Sequence, residues 1–397
     1  MLHGCSTSGQ PLQATLQGRY TYSTHDVLGE GRAARVYKGI DRRLGSPVAV
    51  KIYRDADRMC QHCFHNSIEM SSWLKRPIGR LPAGNGGLWT VEIVGHSVDS
   101  RGYPGVDSDG VMFTVMELGA ESLEDVLAGR CREERHFSLS ELRELHWALV
   151  SLACQLESHG VVHLDIKPSN IVRFPKGDKW QWKLVDLDCA VRAGVAVRYG
   201  DVTFTPPYMA PELARAYLKA GPGKAQHCPV VLAPSMDLWS VGICVLETVF
   251  LSSLLTDRYL QLKRRTGSDN DFLRWLGEEP GGLILPSMYD AARRRSGELA
   301  DFLVAMLKKD RSKRLGSGAA TECLKHAWFD PWRKKMQMTT APVRRAQSVQ
   351  QLPSPSARPA DLDSRVRRTR SDLADQRSPL ILPPVHTNPA SASCMLM

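Results

Sequence analysis

The chain has 397 residues, 43% hydrophobic and 24% charged, enough for a two-part core with tails, and no apolar stretch reaches the 18 or more residues of a membrane-spanning helix. The longest apolar candidate, Val241 to Leu255, is interrupted by Glu247. The formal net charge of +10 sits mostly in a tail: from Arg333 onward eleven Lys or Arg face four Asp, a surplus of +7, with no aromatic-interleaved basic face of a nucleic-acid binder.

In chain order, residues 1–21 form an extension, and residues 20–53 alternate in the manner of paired strands. Gly29, Glu30 and Gly31 mark one turn and Arg42 to Pro47 the next, which predicts a small sheet. The first turn holds Gly29-x-Gly31-x-x-Ala34-x-Val36, whose small residues let backbone N–H groups approach a phosphate. Fifteen residues beyond Val36 comes Lys51, closing Val48-Ala49-Val50-Lys51. A helix follows from about Met59 to Leu74 and contains Glu69, 18 residues after Lys51. Its start carries Cys60-x-x-Cys63 with His62 and His65, a zinc-like density; without a second pair at finger spacing these read as ordinary helix residues. Val111 to Gly119 predicts another strand. A helix from Ser138 or Ser140 to His159, opened by a serine cap and stopped near Gly160, leads into His163-Leu164-Asp165-Ile166-Lys167-Pro168-Ser169-Asn170. Asp186-Leu187-Asp188 ends an apolar strand-like run sixteen residues later. Ala210-Pro211-Glu212, a strongly apolar helix opening at Asp237, and Asp310-Arg311-Ser312-Lys313-Arg314 complete the series.

These motifs in this order resemble the eukaryotic protein kinase family over roughly residues 22 to 333, in its serine/threonine form because Lys167 lies two residues after Asp165 and Thr205 is present downstream. The resemblance implies an α+β two-lobed kinase fold, with a small β-rich N-lobe (22–120) and a large α-rich C-lobe (121–333). It implies transfer of the γ-phosphoryl group of ATP, with Mg2+, to serine or threonine of protein substrates. Asp165 would accept or orient the hydroxyl proton, Lys167 would neutralise the transferring phosphate, and Asn170 and Asp186 would hold magnesium. Lys51 would bind the α and β phosphates with Glu69 as its ion-pair partner, beneath the loop of Gly29 and Gly31. Met116 would be the gatekeeper, backbone groups of Glu117 and Gly119 would meet adenine, and Leu28, Val36, Ala49 and Val172 would enclose the ring. Asp237 would hold the catalytic loop, and Arg314 would pair with Glu212. The ending through Trp328 and Phe329 is most similar to the AGC and calmodulin-dependent groups.

The chain departs from the family at several points. Leu164 stands where an arginine usually precedes the catalytic Asp and cannot attract a phosphate, so activity is expected without phosphorylation of Thr203, Tyr199 or Thr205. Asp188 replaces a glycine; its carboxylate would either restrain the segment or add a metal contact. Ala34 replaces the third glycine of the loop and stiffens it. A nucleotide-binding pseudokinase scaffold is the alternative reading on these two changes, and a small-molecule kinase is disfavoured by the complete segment through Glu212. Twenty-five residues separate Glu212 from Asp237, which predicts an inserted surface loop, inert or used for docking. Ser169 replaces a glutamate common in kinases that select arginine near the target.

Residues 334–397 are rich in Ser, Pro and Arg and are expected to be a disordered basic tail. It ends Cys394-Met395-Leu396-Met397, a pattern that fits prenylation, and the Arg365 to Arg370 cluster would add the electrostatic signal for peripheral membrane association. Phosphorylation at Ser348, Ser371, Ser354 or Ser378 would offset that charge. Ten cysteines without framework spacing, and no signal-peptide succession, place the expected location in the cytoplasm.

Overall fold

The alternation between Tyr20 and Tyr53 is realised as antiparallel strands. The computed structural model describes residues 13–54, 58–77, 89–197, 204–224 and 230–340. Tyr199, Thr203, the tail serines, the Arg365 to Arg370 cluster and Cys394 lie outside the described residues. Strands β1 (Gln13–Leu16), β2 (Tyr20–Glu30), β3 (Ala34–Asp41) and β4 (Ser46–Tyr53) precede helix α1 (Arg58–Leu74), and β5 (Ile93–His96) and β6 (Phe113–Glu117) complete a six-stranded sheet of order β1-β2-β3-β4-β6-β5. The sheet therefore starts ahead of the expected boundary at Tyr22, because Leu16 of β1 joins Tyr20, Val48, Val50, Phe113 and Val115 in one buried cluster. Val36 lies opposite Lys51 across β3 and β4, so the phosphate loop and the lysine share one face of the sheet.

The chain then crosses into a helical lobe through β7 (Glu121–Ser122) and α2 (Leu123–Arg132). Helix α3 (Leu139–Ser158) opens with a capping box, Ser138 accepting from the Glu141 N–H while the Glu141 carboxylate accepts from the Ser138 N–H, and Gly160 stops it at φ +62°. Short β8 (Val161–Val162) leads to the catalytic loop, after which β9 (Ile171–Lys176) and β10 (Lys179–Leu184) form a hairpin with β7 at its edge. Strand β11 (Val191–Arg192) pairs with β8.

Among the described residues the inserted stretch carries regular structure: helix α4 (Pro211–Lys224) runs into it, and Val230–Val231 form β13, antiparallel to β12 (Ala196–Val197). Gly194 N–H donates to Leu232 O at 2.9 Å and Leu232 N–H to Val195 O at 3.1 Å. The insertion thus supplies a strand to the segment downstream of Asp186.

Helix α5 (Ser235–Phe250) is buried from Ser235 to Val249 and is the axis of the lobe. The helices that follow are α6 (Leu254–Thr266), α7 (Asn270–Gly277), α8 (Pro286–Arg295), α9 (Gly297–Met306), which packs on α5, and α10 (Asp330–Thr340). Among the described residues no single helix is long and apolar enough to cross a membrane. Where α3 meets α5, Trp328 Nε1–H donates to His146 Nδ1 at 3.1 Å, which leaves Nε2–H to donate to Thr248 Oγ1 at 2.8 Å. Burial pushes the His146 imidazole down to about 3. The unfolded chain takes up this proton at its ordinary value near 6.5 and the folded chain does not, so stability is full above pH ~6.5 and is lost as pH falls toward 3. Each unmatched proton contributes a slope of about 1.4 kcal/mol per pH unit. Urea midpoints at pH 7 and pH 5 are expected to drop accordingly, and the drop should shrink in His146→Asn.

Candidate active site

The turn after β8 sets the catalytic loop in place. Asp237, at the start of α5, accepts from the backbone N–H of His163 at 2.7 Å and of Leu164 at 3.0 Å, and Leu164 takes φ +68° to allow it. Leu164 itself is buried, in keeping with an apolar side chain at that position. Asp165 is then gripped from three sides. Thr205 Oγ1–H donates to Asp165 Oδ1 at 2.6 Å, Lys167 Nζ lies 2.8 Å from Oδ2 and 3.0 Å from Thr205 Oγ1, and Asn170 Nδ2 donates to Oδ2 at 3.0 Å and to the Asp165 carbonyl at 2.9 Å. Asp165, Lys167, Asn170 and Thr205 thus meet at one point, from residues up to 40 apart in sequence.

Val185 N–H donates to the Asn170 carbonyl at 2.8 Å, which brings Asp186 beside the loop. Asp186 has φ +64°, and its Oδ1 lies 2.7 Å from Lys51 Nζ. This pair bridges the two lobes. Lys51 has a second carboxylate at the same distance, Asp188 Oδ1 at 2.7 Å. Burial disfavours every charge here; at Lys51 the two carboxylates outweigh it and hold the ammonium well above its usual value. At Asp186 the lysine outweighs burial and holds the carboxyl well below the usual range, whereas burial pushes Asp188 up.

Glu69 is not the partner of Lys51. Helix α1 buries Cys60, Phe64, Ser67, Met70, Ser71 and Leu74, and at 3.6 residues per turn Glu69 lies about 200° around from Ser67. Its side chain is 61% exposed and pairs with Arg192 at 3.2 Å. The spacing of 18 residues found the right helix but the wrong face; the small or apolar residues at helical spacing, Cys60, Phe64, Ser67, Ser71 and Leu74, mark the inward side. In the same helix, Cys60 Sγ donates to Ala33 O, and the His65 ring nitrogens face the carbonyls of Gln61 and Pro104, so these side chains are engaged in packing the helix.

Val36, Ala49, Met116 and Val172, the side chains expected to line a nucleotide cleft, pack in one cluster with Val91, Phe174 and Val185, while Leu28 is exposed. Glu117 in the hinge is clamped by Lys183 of β10 at 2.6 Å and by the Glu92 N–H at 2.9 Å, a fixture the sequence did not announce. Its own N–H donates to Glu92 O at 3.3 Å. At Gly119 a Cβ would meet Val172 Cγ1 at 2.3 Å and Phe174 Cζ at 3.1 Å, so only glycine lets the hinge lie this close to the cleft floor. Gly119→Ala is expected to lose about 1–3 kcal/mol of stability in urea melts, together with ATP affinity by calorimetry. Over the cleft, Gly31 N–H donates to Ala34 O at 2.8 Å and Glu30 pairs with Arg35 at 2.7 Å and with Arg54. Ala34 is buried with Tyr53, Cys60, Phe64 and Met112, so this turn is packed against α1.

The donor set fits magnesium, which prefers oxygen ligands and commonly takes one or two from protein and the rest from phosphate and water. Asp186 is 40% exposed, and Asn170, its amide nitrogen committed to Asp165, would have its oxygen left to serve as the other protein ligand. Deeper in the lobe, Arg314 is fully buried and bidentate to Glu212 at 2.8 Å and 2.8 Å, with further bonds to the carbonyls of Ser235 and Lys308.

A family model described as protein kinase domain matches residues 101–329. The chain is similar to the inhibitor of nuclear factor kappa-B kinase subunit epsilon of Mus musculus, 30% identical over 234 residues, covering 56% of this chain and 28% of that protein. It is also similar to myosin light chain kinase 3 of Rattus norvegicus, 26% identical over 326 residues, 78% of this chain and 33% of that one. Serine/threonine-protein kinase 17A of Oryctolagus cuniculus is 24% identical over 320 residues, 79% and 67% respectively. The chain spans a third or less of the length of the first two relatives.

Proposed function

Because the chain belongs to the protein kinase family, we propose that it is a catalytically active serine/threonine kinase that moves the γ-phosphoryl group of ATP to hydroxyls of protein substrates. The observation that carries this reading is the closed contact of Asp165, Lys167 and Thr205, with Asn170 behind it. Asp165 is oriented to accept a hydroxyl proton, Lys167 sits where an ammonium offsets charge on the phosphate in flight, and Thr205 ties both to the segment that would receive the acceptor side chain. Lys51 grips the nucleotide phosphates, and Asn170 and Asp186 would hold the metal. Magnesium, when bound there, would offset the negative charge of the nucleotide phosphates.

Activity independent of a loop phosphate is supported by the apolar packing of Leu164 and by the β12–β13 pairing, which braces the segment from the insertion. The test is phosphoamino-acid analysis of a general protein substrate after incubation with labelled magnesium ATP. Phosphoserine and phosphothreonine with the unaltered protein, and neither with Asp165→Ala, is the expected result. A folded, ATP-binding protein that labels nothing would favour the scaffold reading instead.

A further inference from the structure

The carboxylate that aims Lys51 has changed its place in the chain. Asp188 Oδ1 lies 2.7 Å from Lys51 Nζ, 2.5 Å from Ser67 Oγ and 3.3 Å from the Tyr53 hydroxyl, and all four side chains are buried. Ser67 occupies the inward position of α1 that faces Lys51, and a serine there cannot form an ion pair. Asp188 shows no positive φ, so nothing in its backbone calls for glycine.

We infer that Asp188 is the positioning residue for Lys51, and that α1 serves to hold Asp188 rather than to contribute a carboxylate of its own. The grip is extensive. Asn66 Nδ2 lies 3.1, 2.9 and 2.7 Å from the carbonyls of Leu187, Asp188 and Ala190, and Ser67 donates to the Asp188 carboxylate. The lysine, its carboxylate and the metal-binding Asp186 therefore move as one unit. Outward rotation of α1 alone would not separate an ion pair, as it would if the carboxylate belonged to the helix; it would have to break the bonds from Asn66 and Ser67 first. This assignment deepens the kinase reading and names Asp188 for Lys51, not for the metal.

Two features of the test separate these roles. Affinity for ATP is measured by calorimetry in EDTA and again with magnesium, for the unaltered protein, Asp188→Asn, and the pair Asp188→Gly and Ser67→Glu/Asp188→Gly. Misdirecting Lys51 is expected to weaken metal-free ATP binding about 10-fold and to lower kcat/KM for transfer by about 100-fold. Returning a carboxylate to α1 in Ser67→Glu/Asp188→Gly should recover most of the loss relative to Asp188→Gly. Asp188→Asn keeps the side-chain volume and decides the matter should the glycine variants fail to fold. Weakening seen only with magnesium would overturn the assignment in favour of a metal contact, and unchanged binding in both conditions would overturn it outright. If the unaltered protein binds ATP but transfers nothing, the activity proposal fails while the metal-free affinities still judge Asp188.

Discussion

Asp165→Asn is expected to lower kcat for phosphoryl transfer by about 10²–10⁴-fold while leaving the KM for ATP nearly unchanged. The substitution keeps volume and one of the two oxygens, so one of the hydrogen bonds from Thr205 to Oδ1 and from Asn170 to Oδ2 retains its acceptor. What it removes is the charge that balances Lys167 and, on the proposed mechanism, would accept a proton from the acceptor hydroxyl. The nucleotide phosphates are assigned to Lys51 and the metal ligands, so the loss belongs in kcat. Steady-state kinetics with a protein substrate will show it, and a loss carried wholly by the KM for ATP would mean that Asp165 serves nucleotide binding instead.

Arg314→Leu is expected to lower the free energy of unfolding by about 3–5 kcal/mol, a large part of the 5–15 kcal/mol typical of a domain. The leucine leaves the Glu212 carboxylate, only 13% exposed, without its bidentate partner, and strips donors from the carbonyls of Ser235 and Lys308. Most of the cost is the stranded charge. The double variant Glu212→Leu/Arg314→Leu should therefore be less damaged than Arg314→Leu alone, and urea denaturation of both decides it.

The catalytic loop and α3 were legible in the sequence because their determinants are local. Ser138 with Glu141 begins the helix, Gly160 ends it, and Asp165, Lys167 and Asn170 lie within one turn of chain. The apolar run after Asp237 likewise announced the buried axis, α5. Glu69 failed for a different reason: a count along the chain fixes distance but not helical phase, and two residues of phase move a side chain from the cleft to solvent. Asp188 was visible as a departure from the family, yet its role depends on a contact spanning 137 positions, which no local pattern encodes. The β12–β13 pairing was hidden similarly, since two-residue strands are too short to show an alternation.

If the site works as assembled, with Asp188 aiming Lys51 and Leu164 removing the need for a loop phosphate, transfer requires no prior modification of the chain. The most direct measurement is the initial rate of transfer from magnesium ATP to a protein substrate, using bacterially made, phosphatase-treated protein shown by intact mass to carry no phosphate. Immediate, linear transfer, unchanged in Thr203→Ala, is the expected result. A lag that ends as the protein phosphorylates itself, or no transfer from protein that is folded and binds ATP, would contradict it.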